Sequence, residues 1–449
     1  MRTFKNLLVK LGIDIPIAFN VAGRSMGAIA GLITLFFITK FLNIEEQGYY
    51  YTFLSVVAIN IFFELGLNSV IVQFVSHEKA HLNISNDILS GEEKYISRLS
   101  SLFIFLIKWY IISAALFFIG LNIFGFVFFE NYNLENNINW KYPFFLLSLV
   151  SALNLLCSPF VSFLEGLGFI KEVAKFRWIQ QVVVILFTWL GFLYKAGLYI
   201  PAISSSALFL MILIFIYKFR KVLVSIFKYN ITEKIDYLTE IFPFQWKIAI
   251  SWIGGYFVFK FFTPVVFAEQ GAAEAGKMGL TLAILGVILS LSMAWNSTKI
   301  PIYGALIAKK SYTKLNKLFN LTFTQSTCVN FGLHILLYTV IILVYDRTLF
   351  GVKIEEKIID LYSLSFMMIA FFMNHVLGSI AVYLRCHKKE PLLINSISYG
   401  LLSSLSALYF GHIFGIQGIT FSYCIISIVI TIWGIKIFYS KKNEWQKHS

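Results

Sequence analysis

The sequence predicts an all-α protein that crosses a membrane about twelve times. Of its 449 residues, 58% are hydrophobic and only 13% are Asp, Glu, Lys or Arg. A soluble chain of this length needs far more polar residues to cover its surface. Apolar stretches of about 20 residues recur along the whole chain, and a helix of that length crosses roughly 30 Å of hydrocarbon. We therefore expect a polytopic membrane protein.

The apolar stretches define the predicted elements in chain order. Each is separated from the next by a short segment in which charged residues collect. The twelve predicted spans are 16–39, 49–72, 101–124, 143–165, 177–195, 199–219, 246–268, 277–299, 318–344, 358–384, 392–410 and 416–438.

The distribution of basic residues predicts the orientation of these spans. The net charge is +14, which on its own would suit a nucleic-acid partner. If the N-terminus is inside, however, most Lys and Arg residues fall in inner segments, as the positive-inside rule requires. An even number of spans then places both termini in the cytoplasm, and we expect the lipid bilayer rather than nucleic acid as the partner. The outer segments hold only Lys40, Lys141, Lys195, Lys277, Arg347, Lys353 and Lys357.

The loops predict two halves of equal span count. The longest inner loops, 73–100 and 220–245, mix charged and apolar residues, which predicts short helices on the membrane surface. The second loop lies near the midpoint and divides the chain into an N-terminal lobe, 1–225, and a C-terminal lobe, 226–449. Six spans per lobe mean that both lobes enter the membrane in the same direction, with a cavity between them.

Motifs of soluble enzymes are absent from the sequence. There is no Walker loop, dinucleotide fingerprint, zinc-type Cys/His spacing or G-x-S-x-G. We therefore expect no catalytic residue, no cofactor and no metal. A transporter without its own ATPase draws on an ion gradient, a substrate gradient or a partner.

Three charged residues lie deep in predicted spans. Arg24 and Glu64 are each about eight residues from the inner end of a span, or about 12 Å deep at 1.5 Å per residue, and Lys260 lies near the middle of the seventh span. A charge at that depth is costly unless it meets water, a ligand or a counter-ion. Arg24 and Glu64 could form an ion pair that ties two helices, and the cations could line a cavity for an anionic headgroup; the two interpretations are compatible, since an ion pair can open to admit a ligand.

Each of the other polar residues in the spans has both a structural and a functional interpretation. Lys108 either lines the cavity or extends its ammonium to the surface. Asn68 either forms part of the cavity wall or hydrogen-bonds to another helix. His334 and His375 are candidate proton carriers, since imidazole changes charge near physiological pH, but an intramembrane histidine also serves as a plain hydrogen-bonding residue.

Several stretches resemble a known family. They are Ala22-Gly23-Arg24, Glu46-Gln47-Gly48-Tyr49-Tyr50-Tyr51-Thr52-Phe53, Phe63-Glu64-Leu65-Gly66-Leu67-Asn68, Gln73-Phe74-Val75-Ser76-His77-Glu78, Phe242-Pro243-Phe244-Gln245-Trp246 and Ala275-Gly276-Lys277-Met278-Gly279-Leu280. The chain is similar over nearly its whole length to the polysaccharide-biosynthesis flippases, the O-antigen translocases of the multidrug/oligosaccharidyl-lipid/polysaccharide exporter superfamily.

The resemblance implies a MATE-like fold of twelve helices in two six-helix lobes around a central cavity. It also implies a bacterial inner-membrane protein of O-antigen or lipopolysaccharide biosynthesis, working beside other polysaccharide assembly proteins. Its substrate would be an isoprenoid diphosphate carrying an oligosaccharide, turned from the inner to the outer leaflet. Related flippases keep a cavity arginine in the first span, where Arg24 lies. Arginine suits a diphosphate, because its planar fork matches phosphate oxygens.

Two other functions compete with the flippase. A cation-coupled multidrug antiporter would share the fold but would more often carry an acidic site in one lobe. A membrane polysaccharide polymerase or ligase would need a sizeable outer domain, whereas every predicted outer loop here is short.

Overall fold

A computed structural model describes residues 15–85, 88–132, 138–344, 347–349, 352–387 and 389–447, without the side chains of residues 15–25, 28, 85, 88, 244, 308, 348, 349, 352 and 447. Its regular secondary structure is helical except for two short antiparallel hairpins, one at residues 82–91 and one in which Thr348–Leu349 pairs with Val352–Lys353. Its helices are α1 (Ile15–Phe41), α2 (Ile44–Val57), α3 (Leu67–Lys79), α4 (Glu93–Tyr132), α5 (Lys141–Gly166), α6 (Ile170–Leu193), α7 (Ile200–Lys218), α8 (Arg220–Phe227), α9 (Phe242–Phe259), α10 (Phe262–Ala308), α11 (Tyr312–Val344), α12 (Leu361–Arg385) and α13 (Leu393–Lys447).

The helices reproduce the predicted order of spans. Nine helical segments among the described residues are long and apolar enough to cross a membrane, and Ile29–Phe41 of α1 is a shorter apolar helix. Two of the nine are 63 and 54 residues long, enough for two crossings each. They are interrupted at Gly271 (φ 85°) and Gly415 (φ 60°), where glycine tolerates a backbone conformation that other residues avoid. Both breaks fall between predicted spans.

The chain divides into two compact units. Unit 1 comprises Met1–Gly27, Val57–Glu130 and Asn139–Trp252. Unit 2 comprises Ala28–Val56, Asn131–Ile138 and Ile253–Ser449. The division into lobes 1–225 and 226–449 stays a prediction.

Each unit has its own helix packing. In unit 1, α5 packs against α3, α6 and α7. In unit 2, α10 packs against α11, α12 and α13, and α12 lies along α13. An aromatic and aliphatic cluster fills the unit 2 core where these helices meet. It contains Tyr303, Leu315, Phe319, Ile380, Tyr383, Leu384, Leu392 and Phe438.

The two long inner loops have different structures. The second contains a helix, α8, as predicted; Val222, Leu223 and Ile226 are buried on one side of it. The first forms a hairpin of β1 (Leu82–Ser85) and β2 (Ile88–Gly91), so the helix predicted there is wrong. The physical reason is the short repeat in β1: apolar Leu82 and Ile84 alternate with polar Asn83 and Ser85, which suits a half-buried strand rather than a helix.

The segment that joins α8 to α9, residues 228–241, is called the linker here and lies along the start of α4. The Ser97 hydroxyl accepts hydrogen bonds from the backbone N–H groups of Thr232 and Glu233. Arg98 forms ion pairs with Glu78 at 3.1 Å and with Glu240 at 2.5 Å. The hydrogen bond from Arg98 lowers the pKa of the Glu240 carboxyl, against partial burial, which raises it. These contacts fix the linker to unit 1.

Candidate functional site

The first polar cluster lies in unit 1, at a break in the second predicted span. After the helical turn Ile61–Glu64, the chain passes through Leu65 and Gly66 with φ of 50° and 65°. A Cβ at position 66 would lie 2.6 Å from Cγ2 of Ile248. Positive φ and this close contact both favour glycine. The break puts Glu64 at the end of one helical segment and Asn68 in the first turn of the next.

Asn68 is the centre of this cluster. Its Nδ2 donates to Oε1 of Glu64 at 2.9 Å and to Oγ of Ser158 at 3.2 Å. Its Oδ1 accepts from the hydroxyl of Tyr110 at 3.4 Å. Both ends of the Asn68 amide therefore have partners. We call Glu64, Asn68, Tyr110 and Ser158 the unit 1 cluster.

A proline explains why Ser158 belongs to the cluster. Pro159 lies inside α5 and has no N–H, so it cannot bond to the carbonyl of Leu155, one helical turn earlier. The Ser158 hydroxyl donates to that carbonyl at 3.0 Å. Because its proton is used there, Ser158 is left as an acceptor for Asn68. Tyr110 is fully buried, whereas Glu64 and Ser158 are half-buried.

Of the three predicted cations of the site, the structure describes the side chains of Lys260 and Lys108 but not that of Arg24. Lys260 lies in the turn between α9 and α10 and is exposed, as is Lys108 on α4. Among the described residues, neither ammonium makes an ion pair or a hydrogen bond. The backbone of Arg24 lies in α1, but its side chain lies outside the described residues, so an Arg24–Glu64 ion pair stays a prediction.

A second set of polar residues lies inside unit 2. Its members recur at every fourth position on three helices, which places them on one face of each helix. We call this set the unit 2 network: Ser292 and Asn296 on α10, Ser326, Asn330 and His334 on α11, and His375 and Ser379 on α12. All seven are buried, with at most 5% of the residue exposed.

Hydrogen bonds join the three helices of the network. Asn296 Nδ2 donates to Ser326 Oγ at 3.1 Å and to Ser379 Oγ at 3.0 Å. Asn330 Nδ2 donates to Ser292 Oγ at 3.0 Å. The two asparagines therefore tie α10 to α11, and Asn296 also ties it to α12.

The two histidines complete the network. His334 Nδ1 lies 2.8 Å from the Asn330 carbonyl, which can only accept, so Nδ1 carries a proton. His375 Nε2 lies 3.3 Å from Ser326 Oγ and 3.4 Å from Thr327 Oγ1. Four buried atoms are left without a partner among the described residues: Asn296 Oδ1, Asn330 Oδ1, His334 Nε2 and His375 Nδ1. Each such atom costs about 1–3 kcal/mol when buried unsatisfied.

The structure brings together only part of the predicted site. Glu64 and Asn68 touch, and His334 and His375 share one network. Lys260 lies in unit 2, and the predicted Arg24, Glu64, Asn68 and Lys108 belong to unit 1. Sequence reasoning missed Tyr110 and Ser158, which carry no local signal. It also missed Ser326, Asn330 and Ser379, although their four-residue spacing from the histidines was visible in the sequence.

Comparison with solved structures identifies the fold. The chain is similar to an inward-facing multidrug resistance MATE family transporter of the MOP superfamily, with 14% identity, a TM-score of 0.64 and coverage of 97% of this chain and 96% of that chain. It is similar to the lipid II flippase MurJ in an inward closed conformation, with 15% identity, a TM-score of 0.60 and coverage of 94% and 89%. It is also similar to the MATE multidrug transporter DinF-BH, with 16% identity, a TM-score of 0.62 and coverage of 96% of both chains.

These likenesses extend over nearly the whole of each chain. The chain has the fold of the MOP superfamily transporters, and the predicted all-α, MATE-like fold class is confirmed. No protein-family model matches the sequence, and no curated protein sequence matches it.

Proposed function

We propose that this chain is a flippase that turns an isoprenoid diphosphate-linked oligosaccharide from the inner to the outer leaflet of a bacterial inner membrane. It works by alternating access, has both termini in the cytoplasm and serves surface polysaccharide biosynthesis, such as that of O-antigen. It is a transporter rather than an enzyme. Other polysaccharide assembly proteins supply its substrate and use its product.

One observation carries the proposal: the exposed, unpaired ammonium of Lys260. It lies at the interruption between α9 and α10, inside a segment long and apolar enough to cross the membrane. A cation at that depth requires water or an anion, and no carboxylate meets it among the described residues. A diphosphate headgroup is such an anion. Within unit 1, we propose Lys108 and Arg24 as further cations that bind the substrate, with Glu64 and Asn68 as polar contacts for the sugar.

The structural neighbours bear on the substrate in two ways. MurJ is a lipid II flippase, so the fold is compatible with moving a lipid-linked substrate. The MATE neighbours are multidrug transporters, so the fold alone does not choose the substrate.

The second candidate is a cation-coupled multidrug antiporter, and the unit 1 cluster is the observation that favours it. Glu64 is a carboxylate at the C-terminal end of a broken helix, and such helix ends and their unwound carbonyls bind coupling cations in transporters. In this function Glu64 would hold the cation, and Lys260 would have no anionic substrate to bind.

Charge substitution at Lys260 tests the proposal. A strain that lacks the chain is complemented with wild type, Lys260→Ala, Lys260→Arg or the control Lys436→Ala, which removes another ammonium of unit 2. Flipping is measured as lipid-linked oligosaccharide accessible from outside, normalised to protein level. We expect at least a tenfold loss for Lys260→Ala, because a hydrogen bond to a charged group contributes about 1.5–3 kcal/mol.

Lys260→Arg should keep most of the activity because it keeps the charge, and Lys436→Ala should match wild type. Normal flipping by Lys260→Ala at normal protein level would remove the main support for a diphosphate site. Normal surface glycan in the deletion strain, together with drug sensitivity that Glu64→Gln fails to complement, would replace the flippase with the antiporter.

A further inference from the structure

The serine hydroxyls of the unit 2 network fix the direction of its hydrogen bonds. Ser326 donates its proton to the Phe323 carbonyl, Ser379 to the His375 carbonyl and Ser292 to the Ile288 carbonyl. A hydroxyl has one proton. All three Oγ atoms therefore meet the asparagines only as acceptors.

Both asparagine amides are oriented by this constraint. Asn296 has to present Nδ2 to Ser326 and Ser379, because a flipped amide would set its oxygen against two oxygens with no proton to give. Asn330 has to present Nδ2 to Ser292 for the same reason. The two Oδ1 atoms consequently point away from these bonds, and both lack a donor among the described residues.

The imidazoles follow the same logic. His334 donates through Nδ1 to a carbonyl, so its Nε2 is an acceptor. Because Ser326 has already used its proton, His375 donates to it through Nε2, and its Nδ1 is an acceptor. Within the part of the chain that the structure describes, the network therefore holds four buried acceptors and no unpaired donor. Its unpaired atoms would therefore be satisfied by a cation or a proton, not by an anion.

We infer that His334 and His375 form a proton-binding site inside unit 2, in which one proton is held among acceptors from α10, α11 and α12. A proton taken from water by His334 Nε2 or His375 Nδ1 turns that acceptor into a donor, so that the ring carries a proton on both nitrogens. A charge on one imidazole disfavours a charge on the other, so we expect the uptake of one proton rather than two. The proton returns to water from the same nitrogen.

The groups that surround the network are neutral. From α13, the hydroxyls of Tyr399 and Tyr423 bond to Asn374, the residue before His375. From α10 and α12, the network meets amides, hydroxyls and the sulfur of Met293. Among the described residues, none of the hydrogen-bond partners of the network is a carboxylate or an ammonium. Beside His334, a cavity of about 510 Å³ leaves one side of the ring unpacked.

In the proposed function, the proton site would couple transport to a proton gradient. Binding of a proton by the network does not depend on the substrate. Its coupling to transport rests on the flippase proposed above. The experiment therefore measures proton binding and flipping separately.

Proton binding is measured on the full chain, purified and placed in lipid nanodiscs, as protons taken up between about pH 8 and pH 5, the range in which histidine titrates. The variants are His334→Gln, His375→Gln and their combination. The control is His412→Gln, which removes an exposed imidazole that contacts Glu269 outside the network. We expect the double variant to lose the uptake of about one proton, and each single variant to lose part of it.

A variant that adds charge keeps the test valid if the glutamine variants fold poorly. Asn330→Asp places a carboxylate beside His334 and should move proton uptake to a higher pH, because an opposite charge favours the protonated ring. A purely structural role for Asn330 would not produce that shift. Uptake that is unchanged in all variants would overturn the inference and leave ordered water as the partner of the four acceptors. Protection of the wild type from thermal unfolding by NaCl but not KCl, with unchanged proton uptake, would assign the site to Na⁺ and also overturn it.

Flipping is then measured in vesicles with and without an imposed proton gradient. Wild type and His412→Gln should respond to the gradient, and the double variant should flip at the rate seen without one. Proton uptake without any movement of lipid-linked oligosaccharide would contradict the flippase and leave the proton site intact. Flipping that responds to the gradient equally in all variants would contradict coupling through the network and leave the flippase intact.

Discussion

The unit 1 cluster and the unit 2 network are both polar groups in apolar helices, but they are built in opposite ways. The unit 1 cluster depends on irregular backbone: a break at Gly66 presents Glu64 and Asn68, and Pro159 leaves Ser158 as an acceptor. The unit 2 network depends on regular helices, whose four-residue spacing aligns serine, asparagine and histidine side chains. The first contains a carboxylate and has both ends of its central amide satisfied. The second is uncharged in this assignment and leaves four acceptors without a partner among the described residues.

This difference separates two kinds of polar site in a membrane. A site made by broken helices is sensitive to backbone changes, because its side chains are placed by unusual φ angles. A site made by helical stripes keeps regular backbone, but each of its buried acceptors is satisfied only if a donor faces it. The surplus of acceptors in the unit 2 network is the observation on which the proposed proton site rests.

The largest expected effect comes from breaking the backbone of unit 1. Gly66→Val puts a β-branched residue at φ 65° and 2.6 Å from the Ile248 side chain. Strain at such φ costs about 1–3 kcal/mol, and overpacking costs about 1–3 kcal/mol more. We expect a clear fall in thermal unfolding temperature in detergent, with loss of transport.

The matched control is Gly255→Val on α9. An added Cβ there meets nothing within 4 Å, so its unfolding temperature should stay close to that of wild type. Equal destabilisation by the two substitutions would mean that the break at Gly66 is not what holds the unit 1 cluster.

A smaller effect compares the two asparagines that organise the sites. Asn68→Ala removes an acceptor from the buried Tyr110 hydroxyl and a donor from Glu64, which costs about 1–3 kcal/mol. Asn330→Ala removes one bond to Ser292, which still donates to Ile288, and it also removes an unsatisfied oxygen. We expect Asn330→Ala to destabilise the protein less than Asn68→Ala in thermal unfolding. The reverse order would mean that the Asn330 oxygen has a partner, such as ordered water, that stabilises the network.

The sequence predicted the architecture better than the sites. Hydropathy predicted the order of the spans, because apolar length is a property of the sequence alone, and the breaks at Gly271 and Gly415 fell where charged or glycine-containing segments separate those spans. It did not predict the break at Gly66, because a single glycine inside an apolar stretch is also compatible with an unbroken helix. It named Glu64 and Asn68 as site residues, but it could not show that Ser158 meets Asn68, since that contact joins positions 90 residues apart.

The smallest expected effect concerns the charged contacts of unit 1, for which the unit 2 network has no counterpart among the described residues. Arg98 holds the pKa of Glu240 below its ordinary value, mainly through their hydrogen bond. A carboxyl whose pKa is lower in the folded chain stabilises that chain above the unfolded pKa, about 4.3 for Glu. The stabilisation disappears as the pH falls through the folded pKa.

Glu240→Gln should therefore loosen the linker, residues 228–241, at neutral pH, by no more than the ~0–1 kcal/mol typical of a surface ion pair. Amide hydrogen exchange of the linker, compared between variant and wild type at each pH, measures this directly. We expect faster exchange in Glu240→Gln at neutral pH and a difference that shrinks as the pH falls below about 4, whereas the control Glu92→Gln, an exposed carboxyl before α4, should match wild type throughout. A difference that persists unchanged into acid would mean that the linker is held by the Ser97 hydrogen bonds and not by charge, and unit 1 would then resemble unit 2 in relying on neutral contacts.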